Sequence, residues 1–334
     1  MSSNEILVVG ATEVETALER KEESVLNAVR KAYETHSRGA SSLPHSSFLR
    51  FPDSDKDRII CLPAYLGDDY QLAGVKWIAS VPDNVSRGME RASAVMILND
   101  RLTGRPKAVV EGSIISKQRT AASAALASKV LAQREPKTIG FVGCGPINVA
   151  VAQFLAVVWP EVNRFIAFDL DQSRAEAFGR EVLSLRTSAE FSVAENLDEV
   201  LRECDIVAFG TTAIAPYVKN LDACPDGATI LHVSLRDLET DAVIANHNIV
   251  DDLDHVNRAA TSIHLASQQL GHTDFVQASL GDILLGNSPL PDHDTRKIIF
   301  SPFGLGVLDL AVADLVMNSL ADCGGGTRVG AFLP

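Results

Sequence analysis

A glycine-rich turn near the middle of the chain has the residue types and spacing of a dinucleotide site. Residues 143–148 (GCGPIN) follow an apolar strand-like run and open an apolar helical segment. The first glycine allows a tight turn, and the second lets the backbone approach a pyrophosphate. The N-terminus of the helix adds free N–H groups and the positive end of its dipole. The residues that we predict to bind the cofactor here are Gly143, Gly145, Pro146, Ile147 and Asn148.

A carboxylate after the next strand completes this pattern. Asp169 lies 24 residues after Gly145, where it would accept hydrogen bonds from ribose hydroxyls and repel a 2′-phosphate. The sequence therefore predicts NAD rather than NADP, and the structural alternative is a glycine turn beside a solvated Asp. Asn148 stands where the usual pattern has its third glycine, so we expect slightly wider packing between helix and strand.

Polar residues at the ends of later strands are further candidates for the cofactor site. Thr211 and Thr212 follow the run DIVAF, and polar groups at the carboxyl ends of parallel strands face the ligand crevice. Ser301 and Gly304, in the segment SPFG, either line the nicotinamide side or belong to a turn.

Other kinds of catalytic site are not indicated. The five cysteines are scattered and no C-x-x-C pattern occurs, so neither a metal site nor a disulfide framework is expected. We interpret His232, His247 and His255 as structural residues and Cys144 as a packing residue. No Ser/His/Asp arrangement is suggested by spacing.

Composition and charge limit the partners. The 334 residues are 46% hydrophobic and carry a formal net charge of −13, so we expect a globular protein that binds no nucleic acid. No apolar run reaches the roughly 18 residues of a membrane span. The N-terminal segment has no basic region before an apolar one, so a signal peptide is not expected. The prediction is a cytoplasmic protein.

The pattern of apolar residues divides the chain into two parts. Up to about residue 125 it predicts an α+β domain: a strand, one helix to about His36 with Thr12 as a possible cap, four strands between 59 and 112, and a helix over 113–133 capped by Ser113. From 126 to 310, continuous apolar strands alternate with helices, which is typical of a Rossmann-type parallel sheet. Residues 311–334 are expected to pack on the first domain, with Gly324–Gly326 as a loose tail.

Several motifs recur in a fixed order over essentially the whole chain. They are GVKW with Lys76, Glu111-Gly112 followed by Arg119-Thr120-Ala121-Ala122, the Gly143–Gly145 turn, and Phe303-Gly304 with Asp309. In this order they resemble the ornithine cyclodeaminase/μ-crystallin family. The stretches KWIASVPDN, RASAVMILND, EGSIISKQRTAASAALA, HVSLRDL and SPFGLG are similar to its N-(2-amino-2-carboxyethyl)-L-glutamate dehydrogenase branch, which makes 2,3-diaminopropionate for siderophores or antibiotics.

The resemblance implies roles for individual residues. The carboxylate-binding lysine of the family falls on Lys76, its helix arginine on Arg119 and its catalytic acid on Asp237. Arg91 stands where ornithine cyclodeaminases have a small hydroxyl, and an added cation suits a substrate with more than one carboxylate. Arg50 is a weaker candidate for the same substrate.

The activity that the resemblance implies is NAD-dependent oxidation of a secondary amine followed by hydrolysis of the imine. Asp237 is the candidate general base, and Lys76 assists by binding substrate. The alternatives are a cyclodeaminase-type reaction, a simple amino- or imino-acid dehydrogenase or reductase, and a non-catalytic NAD(P)-binding protein like the crystallin member. Family resemblance also implies a homodimer formed through the sheets of the first domain.

Overall fold

The computed structural model describes residues 4–334, and the chain forms two compact units. The first unit extends to Arg119 and resumes over Leu305–Pro334, and the second is Thr120–Gly304. Among the described residues, no helix has both the length and the apolar character needed to cross a membrane.

The elements follow one another in the order of the chain. The strands are β1 (Ile6–Val9), β2 (Ser41–Ser42), β3 (Ser47–Phe51), β4 (Ser54–Leu66), β5 (Leu72–Ser80), β6 (Ala92–Asp100), β7 (Pro106–Glu111), β8 (Thr138–Val142), β9 (Arg164–Phe168), β10 (Glu190–Val193), β11 (Ile206–Phe209), β12 (Thr229–His232), β13 (His247–Val250), β14 (Val276–Ser279), β15 (Ile298–Ser301) and β16 (Thr327–Val329). The helices are α1 (Ala11–Leu18), α2 (Glu22–Ser37), α3 (Ser113–Leu131), α4 (Pro146–Val158), α5 (Gln172–Leu185), α6 (Leu197–Glu203), α7 (Thr240–Ile244), α8 (Leu253–Val256), α9 (Ser262–Leu270), α10 (Leu280–Leu285) and α11 (Gly306–Cys323).

The first unit is built on a mixed sheet with the order β16-β1-β7-β6-β5-β4-β2, and β3 pairs with β4. All pairs are antiparallel except β1 with β7. Helix α11 packs against β4, β5 and α2. The alternation of buried and exposed residues along β5, with Lys76 buried and Trp77 exposed, shows that one face of this sheet is covered.

Three predictions about the helices of this unit were wrong: the single helix to His36, the cap at Thr12 and the cap at Ser113. The predicted single helix from Thr12 to His36 is broken around Arg20, whose φ of 55° lies in the left-handed region that a helix cannot continue through. The cap is at Gly10, not Thr12, and Gly10 donates its N–H to the Glu13 carboxylate. Helix α3 is capped by a carboxylate outside it, because Glu111 accepts hydrogen bonds from the N–H groups of Ser113 and Ile114.

The prediction of a loose C-terminal tail was also wrong. Gly324 ends α11 with a φ of 75°, and the chain then turns into β16, which pairs antiparallel with β1. The three-residue strand, TRV, was too short a segment to be recognised in the sequence.

The second unit is a parallel sheet with the order β10-β9-β8-β11-β12-β15-β13-β14. Strands β8, β11, β12, β13 and β15 are buried along their whole length, which explains why their sequences are mainly apolar. The structure therefore confirms the predicted fold class, a Rossmann-type parallel sheet together with an α+β unit. The roles predicted for the two domains stay predictions.

Candidate active site

The glycine turn follows β8 and is shaped by its glycines. Gly143 has a φ of +83°, and a Cβ atom there would lie 2.7 Å from the carbonyl oxygen of Gly210. Gly145 caps α4, and Pro146 occupies the first helical turn. The N–H groups that follow Pro146 have no carbonyl partner within the helix, so they point out of its N-terminus. These features fit the phosphates of a dinucleotide.

Asn148 supports this turn from the protein interior. Its side chain is completely buried, and its amide donates hydrogen bonds to the carbonyls of Val142 (3.2 Å), Gly143 (2.7 Å) and Ala208 (3.2 Å). A Cβ atom on Gly210 would lie 2.7 Å from this amide, so Gly210 makes room for it. The third position of the turn is therefore filled by a polar group that ties β8 to β11, and the side chain of Asn148 faces the protein interior.

Asp169 lies beside the turn. Its carboxylate accepts hydrogen bonds from the N–H groups of Cys144 (2.7 Å) and Asp171 (3.0 Å), and it stays partly exposed. Asp171 caps α5 through Ser173, and this hydrogen bond holds the pKa of Asp171 below its ordinary value. The exposed Arg174 approaches Gly145, since a Cβ atom there would lie 3.7 Å from its guanidinium. An acid beside the phosphate turn is the arrangement that binds an adenosine ribose.

A second cluster of polar residues lies at the carboxyl ends of β11 and β12, around Asp237. Asp237 is completely buried. Its carboxylate accepts hydrogen bonds from the hydroxyls of Thr211, Ser234 and Tyr217 and lies 3.2 Å from Nε2 of His232. Nδ1 of His232 lies 3.2 Å from the hydroxyl of the buried Ser301. The predicted residues Thr211, Asp237 and Ser301 therefore belong to one network, whereas Thr212 is exposed beside it.

The surroundings of Asp237 decide its charge. Burial alone would raise the pKa of this carboxyl, but the hydrogen bonds from His232, Ser234 and Thr211 outweigh burial and hold the pKa below its ordinary value. Burial raises the pKa of the Tyr217 hydroxyl, and the negative charge of Asp237 raises it further. Asp237 is thus an ionised group without access to solvent, and Tyr217, 43% exposed, is its most exposed hydrogen-bond donor.

Sequence reasoning missed three members of this network. His232 was interpreted as a structural residue, and Tyr217 and Ser234 were not singled out. Ser234 and His232 each lie within five residues of Asp237 at the end of β12, a spacing that now explains their contact. Tyr217 lies in an irregular segment, and backbone hydrogen bonds from the N–H groups of Tyr217 and Val218 to the Asp237 carbonyl bring it to the network.

The segment after β15 is held by another buried acid, Asp251. Its carboxylate accepts hydrogen bonds from the N–H groups of Phe303 (2.9 Å) and Gly304 (2.6 Å), and burial raises its pKa. Gly304 has a φ of 95°, which a residue with a side chain rarely adopts. Gly304 is therefore a turn residue whose N–H is already used within the protein.

The first unit contains a buried cluster of two cations on one carboxylate. Asp309 of α11 is 2.8 Å from Nζ of Lys76 on β5 and 3.0 Å from Nε of Arg119 on α3. The hydroxyl of Ser116 accepts hydrogen bonds from Lys76 (3.0 Å) and Arg119 (3.4 Å). All three charged side chains are buried. The structure thus brings the predicted residues Lys76 and Arg119 together, around an acid whose role the sequence analysis did not assign.

This cluster has one positive charge more than it has negative charges. Burial and, to a smaller extent, repulsion by Arg119 lower the pKa of Lys76 to about 8, although Asp309 opposes the shift. A buried excess positive charge is stabilised when a carboxylate binds beside it. The cluster is therefore chemically suited to bind the carboxylate of a substrate.

The remaining predicted arginines lie outside this cluster. Arg50 is exposed on β3, with its guanidinium 5.9 Å from the ring centre of Phe48. Arg91 is half-buried immediately before β6, and burial lowers its pKa. Within residues 4–334, the side chain of Arg91 has no hydrogen-bond or ion-pair partner. Over the same range, no three His, Cys, Asp or Glu side chains are grouped so that they could hold a metal ion.

Comparison with known proteins agrees with these features. The chain is 29% identical to the N-((2S)-2-amino-2-carboxyethyl)-L-glutamate dehydrogenase of Staphylococcus aureus, covering 99% of this chain and 100% of that protein. It is 26% identical to the alanine dehydrogenase of Archaeoglobus fulgidus, covering 98% and 99% of the two chains. The structure of an archaeal alanine dehydrogenase dimer with bound NAD superposes with a TM-score of 0.88 at 26% identity, covering 97% of this chain and 99% of that one.

The family itself follows from a match over almost the whole chain. Residues 4–324 match the model of the ornithine cyclodeaminase/mu-crystallin family. This match confirms the family that the ordered motifs predicted, and it includes the glycine turn, the Asp237 network and the cation cluster. The chain therefore belongs to the ornithine cyclodeaminase/mu-crystallin family.

Proposed function

We propose that the protein is an NAD-dependent dehydrogenase that cleaves N-(2-amino-2-carboxyethyl)-L-glutamate. The products are 2,3-diaminopropionate, 2-oxoglutarate, NADH and a proton, and one water molecule is consumed. The observation that carries the proposal is the buried cluster in which Lys76 and Arg119 exceed Asp309 by one charge. Its support is the similarity, over the full length, to a dehydrogenase with this substrate in its name.

The chain holds the cofactor with the residues of the glycine turn. Gly143 and Gly145 allow the pyrophosphate to approach, the N-terminus of α4 provides N–H donors, and Asp169 is placed for the ribose hydroxyls. When bound, NAD+ supplies the acceptor for a hydride.

The substrate must present a neutral nitrogen and a fixed α-carbon. In our proposal Lys76 and Arg119 bind the α-carboxylate of the glutamate part through charge-assisted hydrogen bonds, and so orient its C–H bond. Loss of the hydride from this carbon leaves a C=N bond. Water adds to that carbon, the C–N bond then breaks, and the carbon keeps the oxygen as the keto group of 2-oxoglutarate.

Asp237 is the proposed general base. Because its carboxylate is buried, it takes protons through a hydroxyl that it holds. Tyr217 is the most exposed of these hydroxyl residues, and Thr211 and Ser234 are partly exposed. The proton of the substrate amine, and later that of the attacking water, would pass to this network. His232 fixes the orientation of the carboxylate.

The decisive experiment uses the purified protein, NAD+ and the synthetic conjugate. We expect NADH to accumulate in equal amounts with 2-oxoglutarate and 2,3-diaminopropionate, identified by mass spectrometry. A cyclodeaminase would form a cyclic product without net NADH, and a non-catalytic protein would bind NADH without turnover. Either result would refute the proposal.

A simple amino-acid dehydrogenase is the second candidate. It is supported by the 26% identity to an alanine dehydrogenase that covers nearly both chains. Alanine has one carboxylate and no bridging nitrogen. Efficient oxidation of alanine, with no oxidation of the conjugate, would favour this second function.

We also propose that the protein is a homodimer. The uncovered face of the first sheet exposes Trp77 (41%) and Ile97 (38%), which are unusual side chains to leave in water. Light scattering after gel filtration would give twice the mass of the 35.8 kDa chain, and the single mass would exclude a stable dimer.

A further inference from the structure

Arg174 lies against the glycine turn with an unused guanidinium. The residue is exposed in the first turn of α5, and a Cβ atom on Gly145 would lie 3.7 Å from its guanidinium. Because Gly145 has no side chain, none separates the backbone of the turn from this cation. Within residues 4–334, the side chain of Arg174 makes no hydrogen bond and no ion pair. The guanidinium is therefore available to a ligand at the turn.

The two acids beside Arg174 already have other partners. Asp171 precedes Arg174 by three residues, a spacing at which ion pairs form on helices. Its carboxylate instead accepts hydrogen bonds from the N–H (3.0 Å) and the hydroxyl (2.6 Å) of Ser173. Asp169 accepts hydrogen bonds from the N–H groups of Cys144 (2.7 Å) and Asp171 (3.0 Å). The side chain of Arg174 thus approaches the turn without pairing with either acid.

The backbone of the turn has few N–H groups left for a phosphate. Gly143 donates its N–H to the carbonyl of Phe168 (2.8 Å), and Cys144 donates its own to Asp169. Pro146 has no N–H to donate. The backbone donors for phosphate oxygens are therefore mainly the N–H groups that follow Pro146 at the start of α4. A side-chain donor beside the turn adds hydrogen bonds that its backbone does not provide.

The turn lies among acids even before a cofactor binds. Asp169 and Asp171 are both beside it, and the hydrogen bonds from Ser173 hold the pKa of Asp171 below its ordinary value. Burial and the charge of Asp169 raise the pKa of the Cys144 thiol, and the charge of Arg174 opposes this rise. The positive charge of Arg174 therefore acts on the turn itself. Each phosphate of a pyrophosphate brings further negative charge, which a nearby cation offsets.

We propose that Arg174 is a cofactor-binding residue whose guanidinium binds the pyrophosphate of NAD(H). A guanidinium is planar and matches phosphate oxygens, which it binds through two parallel hydrogen bonds. It adds donors where N–H groups of the turn are already used, and positive charge beside Asp169 and Asp171. This role concerns the cofactor alone and is independent of the substrate proposed above.

Binding of three ligands to the purified protein tests this role. NADH contains the pyrophosphate, ADP contains a diphosphate at the same position of the adenosine, and adenosine contains neither. In Arg174→Gln we expect the Kd for NADH and for ADP to rise about 10- to 100-fold, the effect of one charged hydrogen-bonded group, and the Kd for adenosine to stay unchanged.

Arg180→Gln is the matched control for these measurements. It removes another exposed arginine from the same helix, ~9 Å further along the helix axis, and should leave all three Kd values unchanged. An unchanged Kd for NADH in Arg174→Gln would overturn the contact. An equal loss of affinity for adenosine, or an equal loss in Arg180→Gln, would also overturn it, because the effect would then come from a distorted site or from the overall charge.

Salt dependence is a second readout, which a merely structural role of Arg174 would not change. Because Arg174 is exposed, salt screens its attraction to a phosphate. The Kd for NADH should rise with salt concentration in the natural protein and in Arg180→Gln, and it should rise less steeply in Arg174→Gln. Arg174→Lys, which keeps the charge without the two parallel hydrogen bonds, should give an intermediate Kd. The same salt dependence in all of these proteins would overturn the charged contact.

NADPH distinguishes the pyrophosphate from a 2′-phosphate as the group that Arg174 binds. If the guanidinium binds the pyrophosphate, Arg174→Gln weakens NADH and NADPH by the same factor, or the natural protein binds no NADPH at all. A larger loss for NADPH than for NADH would overturn the assignment, because Arg174 would then act at the ribose. All of these measurements detect binding, so they decide the role of Arg174 whether or not the protein oxidises the conjugate.

Discussion

At the scale of single residues, the same side chain performs different tasks in different surroundings. Asp309 is a buried carboxylate with two cationic partners, and Asp237 is a buried carboxylate with four side-chain partners, three of them hydroxyls. Asp251 is held by backbone N–H groups instead. The net charge of its surroundings distinguishes Asp309 from Asp237. The Asp309 cluster has an excess positive charge that can bind a substrate anion. The Asp237 network keeps a negative charge beside hydroxyls that can pass protons.

Removing the charge of Asp309 should destabilise the first unit. In Asp309→Asn two buried cations lose their compensating charge, so we expect a loss of about 3–5 kcal/mol of unfolding free energy. Asp68→Asn, which breaks the exposed pair with Arg38, is the matched control and should cost at most about 1 kcal/mol. Urea denaturation measures both values, and a similar cost in the two variants would contradict our account of the cluster.

The pKa of Lys76 predicts a limit on activity at alkaline pH. Because burial lowers this pKa from 10.5 to about 8, Lys76 loses its proton above that pH and binds carboxylates more weakly. We expect kcat/KM for the substrate to fall by up to about tenfold for each pH unit above this value. Lys76→Arg should remove this limb of the profile. A limb that persists in the variant would belong to the substrate amine instead.

The lowered pKa of Lys76 also affects the free energy of unfolding, and this effect runs in the opposite direction with pH to the effect on activity. Between about pH 8 and 10.5 the unfolded chain binds the Lys76 proton more tightly than the folded protein does. The contribution of Lys76 to stability therefore rises with pH across this window.

The Asp237 network should control the chemical step. Asp237→Asn keeps the shape of the side chain but removes the charge, and we expect kcat to fall at least about 100-fold. Tyr217→Phe should lower kcat by a smaller factor, because Thr211 remains. Tyr65→Phe, which removes an exposed hydroxyl from the first unit, is the control and should leave kcat unchanged. If Asp237→Asn produces NADH at the natural rate, Asp237 is not the base.

At the scale of elements, the sequence predicted the strands that are buried on both faces and missed helix breaks and short helices, which depend on single residues and contacts. The central strands of the second sheet were recognised because both faces are buried and their residues are mainly apolar. The break at Arg20 was missed, since apolar residues continue on one face through α1 and α2. Helices of four to six residues, such as α8 and α10, contain too few turns to show a periodicity.

The candidate site also has one part that the sequence predicted and one part that depends on long-range contacts. The glycine turn and Asp169 form a local pattern, so they could be found by spacing alone. Lys76 and Asp309 are 233 residues apart in the sequence, and their contact depends on the folding of α11 onto β5. Only the family resemblance indicated Lys76, and nothing in the sequence indicated its hydrogen bond to Ser116.

The turn between β8 and α4 should depend on the acid that follows β9. In Asp169→Arg the carboxylate that accepts the N–H of Cys144 is replaced by a cation, so we expect the KM for NAD to rise at least about tenfold. Asp171→Asn is the control, because Asn caps a helix as well as Asp does and should leave this KM unchanged. An unaltered KM in Asp169→Arg would refute the ribose contact.

At the scale of the whole molecule, charge is distributed unevenly. The chain has 43 acidic and 30 basic residues, yet buried cations exceed buried acids at the Lys76 cluster. The surplus of acids therefore lies elsewhere, and such a protein repels nucleic acids and other large polyanions while it attracts a small anion locally. Salt should weaken carboxylate binding at the Lys76 cluster only modestly, because buried pairs are screened less than exposed ones.

The pairing of β1 with β16 brings Asn4, the first described residue, close to the C-terminal segment. The carbonyl of Asn4 accepts a hydrogen bond from the N–H of Phe332 at 3.0 Å. A short glycine linker could therefore join Asn4 to Pro334, and new ends could be opened between the exposed Thr187 and Ser188. Such a circular permutant should fold and bind NADH normally, which would make this enzyme a scaffold whose ends can be relocated for fusion to other proteins.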